Sequence, residues 1–392
     1  MKKVFLFSLF LVLGLVLSQC LPVWLGEAFL TAEKVAKTLM FVCLAFIMIN
    51  VGREFELDKT KWRSYAADYF IAMATAAVPW IMVAFYYMFL LPADLFGNWD
   101  AWKENLLLSR FAAPTSAGIL FTMLAAAGLR REWIYKKTQV LAIFDDLDTI
   151  LLMIPLQIFM IGFKWQLFAV VIVITFLLVI GWKKLGTIRL SQTWKSILFY
   201  AVCIVAVTES IYLLTKWMMG ADGAIHIEVL LPAFVLGMVM KTVHQHGNRD
   251  EKITGMISYL FMFLVGLSTP QFIGIDHGHR ITEAVGIIAA QPMPSWEVLV
   301  VHVIVVTLLS NLGKMFPLFF YRDRQLEERL ALSVGMFTRG EVGAGIIVIA
   351  MGYNLGGPAL IISVLSLVLN LLLTGGFVVI VKRLAQQAYG LK

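Results

Sequence analysis

Gln139-Val-Leu-Ala-Ile-Phe144-Asp145-Asp146-Leu147-Asp148-Thr149-Ile-Leu-Leu-Met153 decides how this chain is read. Three carboxylates, Asp145, Asp146 and Asp148, stand in the middle of an apolar run long enough to cross a bilayer. A single charged side chain at that depth costs at least roughly 2.5–3.5 kcal/mol on insertion scales. Acids kept there despite that cost normally face a wet cavity and mark a path for ions or protons. Asp145 and Asp146 are therefore the centre of the molecule's chemistry.

The rest of the chain fixes the class. It has 392 residues, of which 60% are hydrophobic and 15% charged, whereas soluble domains carry about 25% charged residues. Its apolar segments suit helices of about 20 residues crossing a hydrocarbon core of about 30 Å; membrane strands would run about 10 residues with alternation. Twelve spans are expected, at 4–25, 34–52, 64–91, 105–127, 138–161, 165–182, 195–215, 227–243, 253–273, 295–320, 328–352 and 358–381. With the N-terminus inside, the cytoplasmic segments carry 23 Lys and Arg residues and the outer ones 6. That bias predicts an even number of spans with both termini cytoplasmic. It also removes a nucleic-acid reading of the +7 net charge, because the basic residues sit in short loops and form no patch. Cys20, Cys43 and Cys203 lie in apolar stretches without metal-like spacing and are expected to pack. Met1-Lys2-Lys3 and the apolar run to Cys20 have features of a signal peptide. The run continues through Leu25, however, and Gln19 is a poor residue before a lipidated cysteine, so the segment is expected to be the first helix.

Three bases, Arg110, Lys314 and Arg339, fall inside spans, and buried ions of opposite sign usually pair. Two spans carry helix breakers. The fourth contains Ala113-Pro114-Thr115-Ser116-Ala117-Gly118, and the eleventh contains Gly335, Arg339-Gly340-Glu341, Gly343 and Gly345. Proline removes a backbone donor and clustered glycines weaken a helix, so both spans are expected to be interrupted within the membrane. Interrupted segments at matching places in two halves predict an inverted repeat, spans three to five against ten to twelve, with an ion site at the crossing.

Taken in order, these stretches resemble the monovalent cation:proton antiporter superfamily, and within it the bacterial sodium/proton antiporters with paired aspartates. Leu141-Ala142-Ile143-Phe144-Asp145-Asp146-Leu147 is similar to the family's fifth-helix motif, and Asn311-Leu312-Gly313-Lys314 to its tenth-helix lysine motif. Phe46 to Glu54 resembles the end of the second helix, with Gly52 and Glu54 in place but Arg53 where an apolar residue is usual. Pro232 to Gly237 and Phe263 to Leu267 resemble the eighth- and ninth-helix patterns, and Arg339-Gly340-Glu341 the eleventh. The resemblance implies an all-α polytopic membrane protein with one transmembrane exchanger domain. Within it, two broken helices cross in a core bundle formed by spans three to five and ten to twelve, and the remainder is a scaffold that usually dimerises.

The resemblance also implies the roles. Asp146 would bind cation and proton, Asp145 would be its neighbour paired with Lys314 and a second ligand of Na⁺, and Thr115 and Ser116 at the broken fourth helix would complete the ion- and proton-binding set. Many relatives carry an aspartate where this chain has Ser116, which leaves the choice among Na⁺, Li⁺ and K⁺ open. The substrates would be a monovalent cation and a proton with no cofactor, in a bacterial inner membrane, as a homodimer. Adjacent helical residues point about 100° apart, so Asp145 and Asp146 can serve different partners, and their protons belong to a coupled set. Two readings stand for Arg339 and Glu341: a structural pair, or counter-charges for a broken helix. Asp148 is expected to accept hydrogen bonds from a neighbouring helix, Arg110 is open to either reading, and His302 is expected to be a packed polar residue. His244, His246, His277 and His279 fall in loops on opposite sides and cannot share a metal.

An exchanger has two rivals. An intramembrane enzyme fits poorly, because protease dyads take their aspartates from different helices. Asp-Asp-Leu-Asp also lacks the spacing and the second acidic motif of a diphosphate-binding prenyl transferase. A relative that has lost exchange and acts as a channel or sensor draws its support from Ser116.

Overall fold

The computed structural model describes residues 2–26, 28–54, 62–161, 165–184, 186–219, 229–240, 248–268, 286–288, 290–353 and 355–390. The four loop histidines of the sequence analysis, His244, His246, His277 and His279, lie outside them. The described residues form α1 (Lys2–Leu25), α2 (Ala28–Glu54), α3 (Trp62–Phe89), α4 (Trp99–Ser109), α5 (Ala117–Ala126), α6 (Trp133–Ile161) and α7 (Trp165–Lys183). They continue with α8 (Trp194–Met219), α9 (Leu230–Val239), α10 (Asn248–Leu267), α11 (Trp296–Gly313), α12 (Leu326–Gly335), α13 (Glu341–Gly352) and α14 (Gly357–Tyr389). Among them no strand occurs beyond a single parallel bridge, Ile188 to Met240. Four segments, Ser64–Phe89, Trp194–Met218, Trp296–Phe319 and Gly357–Tyr389, are each long and apolar enough to cross a membrane unaided. This is an all-helical polytopic membrane protein.

Among the described residues, each expected span falls on one helix or on an interrupted pair. The fourth is α4 followed by α5, and the eleventh is α12 followed by α13. α4 begins earlier than hydropathy suggests, at Trp99, because the Asn98 side chain caps it by accepting from the Asp100 N–H at 2.9 Å. It tightens into a 3₁₀ turn over Arg110–Ala112 and stops before Pro114, which has no N–H to give. α9 is shorter than its expected span, since Met240 already turns extended to pair with Ile188.

The chain divides into two compact units. The first comprises Met1–Trp24, Lys61–Leu156 and Val265–Lys392; within it α3 packs on α4 and α11, and α14 on α11, α12 and α13. The second comprises Leu25–Thr60 and Gln157–Leu264, in which α2 lies along α8 and α9 and α7 packs on α9. The α2–α9 crossing is a backbone contact. A Cβ on Gly52 would collide with the carbonyl oxygen of Phe234, and one on Gly237 with that of Ile49. Without a strong hydrophobic drive between helices in lipid, such small residues let them approach.

Candidate ion-exchange site

The site belongs to the first unit and is built where the two interrupted helices meet. In hydrocarbon every freed backbone group needs a partner, so each break must be answered by specific groups. Ser116 caps α5: its carbonyl takes the Leu120 N–H at 2.9 Å and its hydroxyl the Ile119 N–H at 3.4 Å. Gly340 holds the same place on α13, its carbonyl accepting from the Ala344 N–H at 3.0 Å. The breaks are also joined directly. The Ser116 N–H donates to the Thr338 carbonyl at 2.9 Å, and the Thr115 hydroxyl donates to the Met336 carbonyl at 3.1 Å. A Cβ on Gly340 would stand 2.6 Å from the Ser116 hydroxyl and 2.8 Å from Ile119, so only glycine allows this approach.

Over this crossing lies α6. Asp145 is completely buried, as is Lys314, and the Lys314 ammonium donates to both carboxylate oxygens at 2.8 and 3.0 Å. The Thr115 N–H, freed by the break, donates to Asp145 Oδ2 at 2.7 Å. The pair therefore joins α6 to the end of α11 and to the interrupted fourth span. Asp146, 1% exposed, is the next residue on α6. On a helix the two neighbouring carboxylates leave the axis about 100° apart.

Arg339 is fully buried and faces carbonyls. Its Nη1 donates to the Met336 carbonyl and its Nη2 to the Ser310 carbonyl, each at 3.1 Å. It thus places positive charge at the C-terminal ends of α12 and α11, where the helix dipole favours it. The Glu341 side chain lies outside the described residues. Arg110, also fully buried, donates from Nη2 to the Asp148 carbonyl at 3.0 Å and stacks 4.4 Å from the centre of the Trp80 ring. Asp148 accepts the Tyr69 hydroxyl at 2.7 Å. His302 meets the Tyr86 hydroxyl through Nδ1 at 2.7 Å, away from this cluster on α11.

The structure thus gathers Asp145, Asp146, Thr115, Ser116, Lys314 and Arg339 at one crossing. Sequence reading left out Tyr69 and Trp80, aromatic residues in an apolar span without any local pattern that singles them out. Among the described residues, no group of three or more His, Cys, Asp or Glu side chains could hold a metal ion. A cation here would be held by carboxylates together with hydroxyl and carbonyl oxygens, the hard donors such ions prefer.

Among curated proteins no match to the chain is found. The sequence pattern of the family described as "Sodium/hydrogen exchanger, transmembrane" matches residues 2–384, nearly the whole length. With paired aspartates at a crossing of interrupted helices and a family match of that extent, the chain belongs to the sodium/hydrogen exchanger family.

Proposed function

We propose that this protein is a secondary antiporter that exchanges Na⁺, or another monovalent cation, for H⁺ by alternating access. The observation that carries this reading is the buried Asp145–Lys314 ion pair, 2.8 Å apart and fully excluded from solvent, beside Asp146 at the helix crossing. Asp146 carries cation or proton. Asp145 is held ready by Lys314, and Thr115 supplies a hydroxyl oxygen whose hydrogen is already given to Met336. Ser116 lends its hydroxyl to the α5 cap, and Arg339 balances the helix ends. The bundle of spans three to five and ten to twelve would act as the moving core and the remainder as the scaffold, in a homodimer of the bacterial inner membrane with both termini cytoplasmic. The separate packing of the two units supports that division.

Exchange is proposed to be electrogenic. With Asp146 protonated and Asp145 paired with charged Lys314, the three groups sum to zero. A cation that takes both carboxylates deprives Lys314 of its partner. Release of the lysine proton then brings the loaded site to a net charge of minus one, so two protons leave for each cation. A potential of 100 mV contributes roughly 2.3 kcal/mol per charge moved, enough to drive such a cycle visibly. The test compares Na⁺, Li⁺ and K⁺ in proteoliposomes and then imposes a potential with a cation found not to be carried. Exchange whose rate and end-point ignore the potential excludes the two-proton scheme, and exchange of none of the three cations excludes the antiporter.

A further inference from the structure

Two adjacent residues of α3 grip α6 on either side of its aspartates. Asp68, 2% exposed, accepts from Lys137 Nζ at 2.8 and 3.0 Å and from the Tyr321 hydroxyl at 2.7 Å. Tyr69 donates its hydroxyl to Asp148 Oδ1 at 2.7 Å and sets its ring edge-on to Phe144, with centroids 5.5 Å apart. Lys137 precedes Asp145 and Asp148 follows it, so the grips stand about 16 Å apart along α6 at 1.5 Å per residue. The aspartates lie between them.

The same helix also holds the lysine. A Cβ on Gly313 would stand 2.5–2.7 Å from the Cα, N and Cβ of Pro79, so α3 and α11 touch backbone to backbone at the residue before Lys314. Beyond Lys314 the chain is tied to the Asp68 grip through Tyr321. Tyr321, at φ 52°, is the one described non-glycine residue with positive φ, a conformation that persists only where the surroundings hold it. Those surroundings are the Asp68 carboxylate, the Lys137 ammonium 4.9 Å over its ring, and the edge of Trp133 at 5.7 Å. Burial, and after it the Asp68 charge, push the Tyr321 hydroxyl far above the ordinary tyrosine range, so it remains a donor. α3 therefore meets α6 on both sides of Asp145 and meets α11 at the residue before Lys314.

We propose, on the reading of Asp145 and Asp146 as the exchange site, that Asp68 and Tyr69 are positioning residues which fix α6 on α3 at the geometry that binds the cation. A clamp that served folding alone would change how much protein folds and leave the affinity of the folded fraction unaltered. A misplacement of about 1 Å arising away from the chemistry can cost a site about a hundredfold.

The test uses the full chain in proteoliposomes, with exchange measured against cation concentration and normalised to monodisperse protein, for wild type, Tyr69→Phe, Lys137→Met and Lys137→Arg. Tyr69→Phe keeps the ring on Phe144 and removes only the hydroxyl; its KM for the cation rises about fivefold, the scale of the net worth of one ordinary intramolecular hydrogen bond. Lys137→Met raises KM about tenfold and Lys137→Arg, which keeps the ion pair, stays within about twofold of wild type. KM values for Tyr69→Phe and Lys137→Met that both match wild type overturn the proposal, whether or not the maximal rate falls. Where Lys137→Met yields no folded protein, Tyr69→Phe alone decides. Failure of wild type to exchange any monovalent cation overturns the exchange reading and this proposal with it; normal exchange with unmoved KM overturns the proposal alone.

Discussion

Replacing Lys314 by methionine removes a buried cation while keeping most of its apolar stem. In the native structure the Asp145 carboxylate has three charge-assisted contacts, two from Lys314 at 2.8 and 3.0 Å and one from the Thr115 N–H at 2.7 Å. Lys314→Met leaves one of the three on a carboxylate with no exposure to solvent. Breaking a buried pair in this way costs about 3–5 kcal/mol, because the remaining charge is uncompensated. Replacing both partners costs much less, so Lys314→Met combined with Asp145→Asn is expected to recover all but about 1–2 kcal/mol, with the asparagine oxygen still able to accept from Thr115. On the unfolding entropy per residue of globular proteins, the single variant falls by about 4–6 °C in Tm and the double by about 1–2 °C. Thermal unfolding in detergent, followed by loss of the monodisperse species, measures both. Equal destabilisation of the single and double variants, or a single variant indistinguishable from wild type, would refute the claim that the pair's worth lies in mutual compensation of charge.

Further outcomes follow from the crossing. Thr115→Val is expected to weaken apparent cation affinity on the order of tenfold with a smaller effect on maximal rate. The Met336 carbonyl keeps its bond from Arg339, so stability changes little, and an unchanged affinity in the transport assay returns Thr115 to a structural role. Gly340→Ala places a methyl group 2.6 Å from the Ser116 hydroxyl and 2.8 Å from the Ser116 Cβ. The crossing then has to open, and exchange should fall at least about tenfold with the protein still inserted. Wild-type rates in that variant would show that the close approach is dispensable.

The class of the molecule and the seat of its breaks are legible in the sequence because each rests on a local cause. Pro114 lacks the N–H that would continue α4, Gly340 is the only residue type that fits against Ser116, and three acids in an apolar run stand out by composition alone. The Asn98 cap that starts α4 at Trp99 was also written in the chain, but hydropathy is blind to it, since the amphipathic first turns read as loop. Lys314 and Asp145 lie 169 positions apart, so no periodicity joins them; a resemblance to known exchangers points to the pair, and only the tertiary fold brings the end of α11 to α6. Tyr69, Tyr321 and Trp80 carry no signal in the sequence for a different reason. A tyrosine or tryptophan in an apolar helix is ordinarily packing, and only the tertiary placement of Asp68, Asp148 and Arg110 gives these rings polar work. Arg339 shows the converse. Its charge was conspicuous in the sequence, while its partners, the carbonyls of Met336 and Ser310, are backbone groups that no side-chain pattern reveals.

The most direct measurement is cation-driven proton movement in proteoliposomes by wild type and Asp146→Asn. The substitution keeps the size of a residue that is 1% exposed and removes its titratable charge. Wild type should move protons outward from an acidic lumen when Na⁺ or another carried cation is added outside, and Asp146→Asn should move none while inserting and remaining monodisperse. Substantial exchange by Asp146→Asn would contradict the assignment of cation and proton to that carboxylate.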